Sequence, residues 1–322
     1  MSFPPAEIDV EVRGRKICSY RQFDAALNMI RKLHSRVADR RGTVGFLIGD
    51  RGVGKTTVLE AYIIVYNREH PPQLGSKSII KIEFVEQTSV KSLYKSIIDE
   101  LGGRYSRNAT QHDLQLMAER LLINLKTSLI FIDEAQNLLT EKPSQHRAIF
   151  DAIKSFTNKI DIAVVLSGLP ECIATFNNLP KKRRDVGHRV RHCCHLTAFG
   201  FEGLQDFHAY TTSLLSGYDM DPEFLLVSES KWFLLALFYA SQGNQYELDS
   251  LIQEALSSKY FRDEKLTLDC FRAGFQYYLD SMFDLNPDYK LFARDDKPFD
   301  MPLEALKAAL EQRERLSRKR GK

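Results

Sequence analysis

Gly49-Asp50-Arg51-Gly52-Val53-Gly54-Lys55-Thr56-Thr57 fits the phosphate-binding pattern G-x-x-x-x-G-K-[ST], with Gly49, Gly54, Lys55 and Thr56 at the fixed positions. Glycines belong there because backbone N–H groups must turn inward and approach phosphate oxygens closely, which a Cβ would obstruct. In such a loop Lys55 reaches the β- and γ-phosphates and Thr56 offers its hydroxyl to Mg2+, while Gly52 and Thr57 complete the cradle. The context agrees with the motif. Val44-Gly45-Phe46-Leu47-Ile48 reads as a buried parallel strand, and 57–66 reads as the helix whose N-terminus faces the phosphates.

Upstream, residues 1–20 read as an N-terminal arm with Pro4-Pro5 and the bases Arg13, Arg15 and Lys16. From Tyr20 to about Arg40, Phe23, Leu27, Ile30, Leu33 and Val37 recur at helical spacing, which predicts an amphipathic helix. Downstream, 78–85 reads as a second strand, and helices are expected over about 90–101 and 110–125. This alternation of strand and helix predicts a parallel sheet covered on both faces.

Leu129-Ile130-Phe131-Ile132 followed by Asp133-Glu134 is a buried strand that delivers two carboxylates to the crevice where phosphates lie. Asp133 is the candidate Mg2+ holder through the ion's water shell, and Glu134 the residue that orients the attacking water. An acidic start to the next helix is the plainer reading of the pair. A helix over about 144–158 leads to a fourth strand, 162–168, with Ser167 as the polar residue at its end that senses the γ-phosphate. The plainer reading of Ser167 is a serine satisfied at a strand-to-turn junction.

The densest internal basic run spans Lys181 to Arg191. It reads either as a solvated loop or as the source of an arginine that stabilises charge on a transferred phosphoryl group. The following His192-Cys193-Cys194-His195 is not read as a metal site, because alternate residues of a strand face opposite ways. Beyond Gly203 the pattern is of helices alone, near 204–216, 229–241, 245–258 and 265–281, forming a small lid. Residues 282–322 are read as an extension that ends in a basic tail.

Length and composition set the outer bounds. A chain of 322 residues with 43% hydrophobic and 27% charged residues is ordinary for a soluble protein of about two domains. It has no apolar run of membrane-span length and no signal-peptide pattern, so no membrane partner is expected and a cytoplasmic location is the default. Five cysteines without a C-x-x-C pair argue against a disulfide framework or a zinc ribbon. A net charge of +3 decides nothing by itself.

Taken in order, the P-loop strand, the second strand, Asp133-Glu134, the polar end of the fourth strand, a trailing arginine and a helical lid resemble the AAA+ ATPases. Within them the chain resembles the TnsC/TniB transposition regulators of Tn-type and CRISPR-associated transposons, which are akin in function to the phage Mu B protein. The resemblance is carried by 47–56, 129–138, 162–168, Arg189 to Gly200 and Gly243 to Ile252, and covers about 17–281. It implies an arm over 1–20, an AAA+ α/β domain over 21–202, a lid over 203–281 and an extension over 282–322.

It further implies ATP and Mg2+ as ligands and an oligomer, a ring or helical filament, on double-stranded DNA. That assembly would contact a TniQ-type targeting protein and recruit a transposase, and hydrolysis would dismantle it. Arg189 best matches the arginine finger, with Arg191 as the alternative. Relatives touch the DNA backbone with a lysine and a threonine that match Lys91 and Thr110, and Lys95, one turn on, adds a phosphate contact. Thr110 also suits a helix N-cap. Where relatives carry a lid arginine this chain has Glu247, and a carboxylate cannot take that role. Two alternatives stay open: another AAA+ DNA machine of the clamp-loader or origin-recognition kind, and a nucleotide switch acting on proteins without DNA.

Overall fold

The computed structural model describes residues 10–12, 15–17, 19–39, 42–84, 89–138, 143–173, 190–258, 265–281, 304–309 and 311. Two units emerge from the pattern of contacts, one of residues 21–51 and 55–196, the other of 1–20, 52–54 and 197–322. Short strands β1 (Val10–Val12) and β2 (Arg15–Ile17) pair antiparallel within the second unit, in the segment read from sequence as an arm.

In the first unit, α1 (Arg21–Ser35) precedes β3 (Val44–Gly49), α2 (Lys55–Glu69), β4 (Ile79–Glu83), α3 (Val90–Glu100) and α4 (Gln111–Asn124). Then follow β5 (Leu129–Asp133), α5 (Pro143–Lys159), β6 (Ala163–Gly168) and β7 (Val190–Leu196). The five strands β4-β5-β6-β3-β7 form one all-parallel sheet. The motif-bearing strand β3 thus lies between β6 and β7, and β5 pairs with β6.

Every residue of β3, β5 and β6 is buried, as expected of parallel strands covered on both faces. Phe46, Ile48, Ile130, Ile132, Val164 and Leu166 join a core with Leu93 and Ile97 of α3, Leu114 and Ala118 of α4, and Ile153 and Phe156 of α5. Alternate residues serve the opposite face, where the Phe131 ring meets the Tyr62 ring of α2 edge-on at 6.0 Å. Gly45 lets α1 approach, since a Cβ there would sit 2.3 Å from Leu33. α3 and α4 both start with capping boxes, on Ser89 and Thr110, which satisfy their free N–H groups locally. α2 is tied down by Lys81–Glu60 at 2.7 Å and by the buried His34, which meets the Tyr62 hydroxyl at 3.0 Å.

The second unit continues with α6 (Leu204–Leu215), β8 (Asp219–Met220), α7 (Pro222–Ser228), α8 (Lys231–Ser241), α9 (Gln245–Leu256), β9 (Lys265–Leu266) and α10 (Leu268–Ser281). It is therefore not helical alone. β8 and β9 pair in parallel, although their residues lie far apart in sequence. Aromatic rings fill its interior: Phe207 meets Phe238 at 5.1 Å and Phe233 meets Phe271 at 5.1 Å. The turn into α9 needs Gly243, whose φ is +67° and whose Cβ would fall 2.1 Å from the Phe199 carbonyl oxygen. Within this unit the Tyr246 N–H donates to the Gly52 carbonyl at 3.0 Å. Among the described residues no single helix is long and apolar enough to cross a membrane.

Candidate nucleotide site

β3 ends at Gly49 and α2 begins at Lys55, so the phosphate-binding stretch is a strand-to-helix loop, as its residue pattern predicts. Gly52 and Gly54 take φ of +77° and +82°, backbone that side-chain-bearing residues adopt only at a cost. The Lys55 ammonium donates to the carbonyls of Gly49 at 2.8 Å and Asp50 at 2.7 Å. Burial pushes its pKa down, and the carboxylates of Glu134, Asp133 and Asp50 counter that shift. A half-buried cation held by carbonyls is ready to exchange them for phosphate oxygens, a stronger charge-assisted partner.

Asp133, at the end of β5 and 2% exposed, gathers three donors. Thr56 donates to its Oδ2 at 2.8 Å, Ser167 to its Oδ1 at 2.8 Å, and the Glu134 N–H to its Oδ1 at 3.0 Å. Thr56 lies 77 residues away and Ser167 34 residues away in sequence, and the sheet order brings all three together. A hydroxyl and a carboxylate in contact at a phosphate loop are the oxygen donor set that suits Mg2+, so the residues present fit that ion.

Ser167 is fully buried. Its hydroxyl, expected from the sequence to sense the γ-phosphate, is directed instead at the Asp133 carboxylate.

Glu134 follows with a left-handed backbone, φ +52°. A non-glycine residue held there stores strain of the kind that clusters at functional sites. Its carboxylate accepts a hydrogen bond from the Gln136 side-chain amide, and the Gln136 Oε1 accepts from the Leu169 N–H at 3.2 Å. Gln136 escapes a reading of the sequence alone as a site residue. Nearby, Cys172 is buried, and burial pushes its thiol pKa up to about 11, which leaves it protonated and inert. Thr57 lies in the first turn of α2. Arg189 lies outside the described residues, as do 181–188 of the basic run and the tail from 312.

The three DNA candidates sit on the α3–α4 layer. Lys91 and Lys95 are half-buried on α3, and the Lys95 ammonium stands 5.3 Å from the centroid of the Tyr105 ring. Thr110 is exposed and caps α4; its hydroxyl donates to Asp113 at 2.7 Å and accepts from the Asp113 N–H at 3.2 Å. The bond from that hydroxyl, with a second from the Thr110 N–H at 2.9 Å, holds the Asp113 carboxyl below its usual pKa, so an ionised carboxylate adjoins Thr110. The exposed Arg104 and Arg107, which sequence reasoning passes over, lie between the two helices. A depression of about 360 Å³ lined by Arg104, Tyr105, Asn108 and Asp113 opens there.

The model of the bacterial TniB protein family matches residues 10–183, more than half of the 322-residue chain. The chain belongs to the TniB family. No curated protein matches it. Solved structures similar to this TniB-family chain include the Aeropyrum pernix ORC2 protein in ADPNP–ADP complexes, with a TM-score of 0.61 and 14% identity over 85% of this chain and 70% of that one. The Aeropyrum pernix ORC1 protein in complex with DNA matches with a TM-score of 0.58 and 14% identity over 85% and 67%. A Walker-type ATPase of Pyrococcus abyssi matches with a TM-score of 0.53 and 12% identity over 85% and 75%. Likeness at that identity shows a shared fold, which is the AAA+ fold expected from the sequence.

Proposed function

We propose that this TniB-family chain is an ATP-dependent, DNA-binding regulator of transposition. On this reading it oligomerises on double-stranded DNA with ATP bound, marks a target site, contacts a TniQ-type protein, recruits transposase, and disassembles on hydrolysis. The observation that carries the nucleotide half is Asp133 bonded at once to Thr56 of the loop helix and to Ser167 of β6. That arrangement gathers oxygens that would hold the Mg2+ of a bound triphosphate.

In the reaction, Lys55 would leave the Gly49 and Asp50 carbonyls for the β- and γ-phosphates, while the loop N–H groups bind their oxygens. Thr56 and Asp133 would hold Mg2+, which would supply charge neutralisation for the phosphates when bound. Ser167 keeps the Asp133 carboxylate turned to that position. Glu134 would polarise the water that attacks the γ-phosphorus. Arg189, or Arg191 in its place, would come from a neighbouring subunit as a finger. Glu247, at the position of the lid arginine, leaves that subunit-borne cation as the main positive charge added at the γ-phosphate, so turnover by the isolated chain is expected to be slow.

For DNA, the support is a run of bases on one layer: Lys91, Lys95, Arg104 and Arg107. Thr110 joins them when the Asp113 carboxylate turns away, since an ionised acid repels phosphate.

The test is electron microscopy of the protein with double-stranded DNA under ATP, a non-hydrolysable analogue and ADP, using wild type, Lys55→Ala and Glu134→Gln. Filaments or rings on DNA with ATP and with the analogue, absent in Lys55→Ala and longer-lived in Glu134→Gln, support the reading. Nucleotide-dependent oligomers that ignore DNA would instead favour a switch for protein partners. Wild-type assembly by Lys55→Ala would remove the nucleotide site.

A further inference from the structure

Two hydrogen-bond routes run from the end of β6 to the acidic pair that follows β5. One is Ser167 to Asp133. In the other, the Leu169 N–H donates to Gln136 Oε1, and the Gln136 amide donates to the Glu134 carboxylate. The amide's orientation is settled by its partners, because only the carbonyl oxygen can accept from a backbone N–H and only the NH2 group can donate to a carboxylate.

The surroundings are shaped to seat this side chain. A Cβ on Gly168 would lie 2.7 Å from Gln136 Oε1, 3.0 Å from Cys172 Sγ and 3.2 Å from the Ala135 N, so any larger residue at 168 displaces the amide. Glu134 itself stands on a strained backbone, φ +52°, of the kind that clusters at functional sites. Gln136 gives that carboxylate a hydrogen bond and, through the Leu169 N–H, ties it to the residue that follows β6.

We infer that Gln136 is a positioning residue for Glu134, holding the carboxylate at the angle from which it addresses the attacking water, as Ser167 holds Asp133. Gln136 touches neither nucleotide nor water in this assignment; it acts through Glu134. The inference rests on the ATPase reading above.

Gln136→Met keeps the length of the side chain and removes both hydrogen bonds. In steady-state and single-turnover ATP hydrolysis with Mg2+, kcat is expected to fall about 10- to 100-fold, the scale of a misplaced reacting group. Affinity for a non-hydrolysable analogue should stay within about two-fold of wild type, because the phosphate cradle is untouched. In a Glu134→Gln background the same substitution should cause almost no further loss, since a residue that acts only through Glu134 has nothing left to position. Gly168→Ala attacks the contact from the other side and should reproduce the kcat loss without the binding loss; it decides the matter by the same criteria if Gln136→Met does not fold. An unchanged kcat in both variants, or an equal fold-loss in the Glu134→Gln background, would overturn the assignment. Wild-type protein that hydrolyses no ATP, alone or on DNA, would overturn the ATPase reading and this inference with it, whereas active wild type with unaffected variants removes the inference alone.

Discussion

His34 offers a stability prediction whose size can be worked out. The ring is 7% exposed and spans two elements, with Nδ1 3.0 Å from the Tyr62 hydroxyl of α2 and Nε2 2.7 Å from the Ser128 hydroxyl before β5. Ser128 donates onward to the Ser78 carbonyl at 3.2 Å, so it accepts from Nε2–H, and Nδ1 accepts from Tyr62. A neutral imidazole satisfies both bonds, and protonation would break the second. Burial chiefly, with repulsion from His70, pushes the His34 pKa from 6.5 down to about 4. The native state therefore refuses a proton that the unfolded chain accepts below pH 6.5. Stability is unaffected above that pH, falls as pH drops through the window, and levels off below about pH 4. The full effect is about 3 kcal/mol, of which about 2 kcal/mol is lost by about pH 5. The assay is urea unfolding at about pH 7.5 and about pH 5, for wild type and His34→Gln, whose amide can donate to Ser128 and accept from Tyr62 without titrating. The variant should lose less stability than wild type between the two pH values by about 2 kcal/mol. Equal pH dependence in the two proteins, or a folded-state His34 titration at the ordinary histidine value by NMR, would refute the reasoning.

Three further outcomes bear on the site. Ser167→Ala removes one of the donors to Asp133 and should raise the Mg2+ concentration needed for half-maximal nucleotide-dependent assembly several-fold; an unchanged Mg2+ requirement would separate Ser167 from metal binding. Lys91→Ala should weaken binding to all DNA sequences alike and lower the salt slope by about 1, as a phosphate contact does, whereas a sequence-selective defect in fluorescence anisotropy would count against it. Asp113→Asn removes the charge beside Thr110 and should tighten DNA binding about two- to five-fold at low salt, with the gain shrinking as salt rises; no gain at low salt would take Thr110 and Asp113 off the DNA surface.

Much of the first unit is legible in the sequence because its signals are local and strong. The apolar runs at 44–48, 129–132 and 163–166 form fully buried strands, and the glycine pattern at 49–54 forms the turn it predicts. What stays hidden depends on partners distant in sequence or on elements too short to show a period. β7, Val190–Leu196, reads Val-Arg-His-Cys-Cys-His-Leu because an edge strand has an exposed side and tolerates polar residues there. β8 and β9 are two residues each and exist only as a pair across more than forty residues. α7 does leave a local signal: Asp221 caps it, accepting from the Glu223 N–H at 2.9 Å, and Pro222 occupies its first turn, the start signature of a helix. Gln136 has no such signal, since the Leu169 N–H it accepts lies 33 residues on.

The same contrast explains why the acidic pair carries more weight in the structure than in the sequence. Asp-Glu after an apolar strand is compatible with an ordinary helix start, where acids are favoured by the exposed N–H groups. A carboxylate placed there for helix electrostatics would lie near solvent and bond only nearby backbone donors. Asp133 instead is 2% exposed and receives hydroxyls from two other elements. Burying a charge is costly unless it is hydrogen-bonded on several sides, and a fold that stabilised only itself could set an apolar residue at that position at lower cost. The cost is borne where β5 ends beside β6, with the first turn of the loop helix within reach. In that order of strands the buried charge stands beside Thr56 and within electrostatic reach of Lys55, where a phosphate-bound cation would offset it.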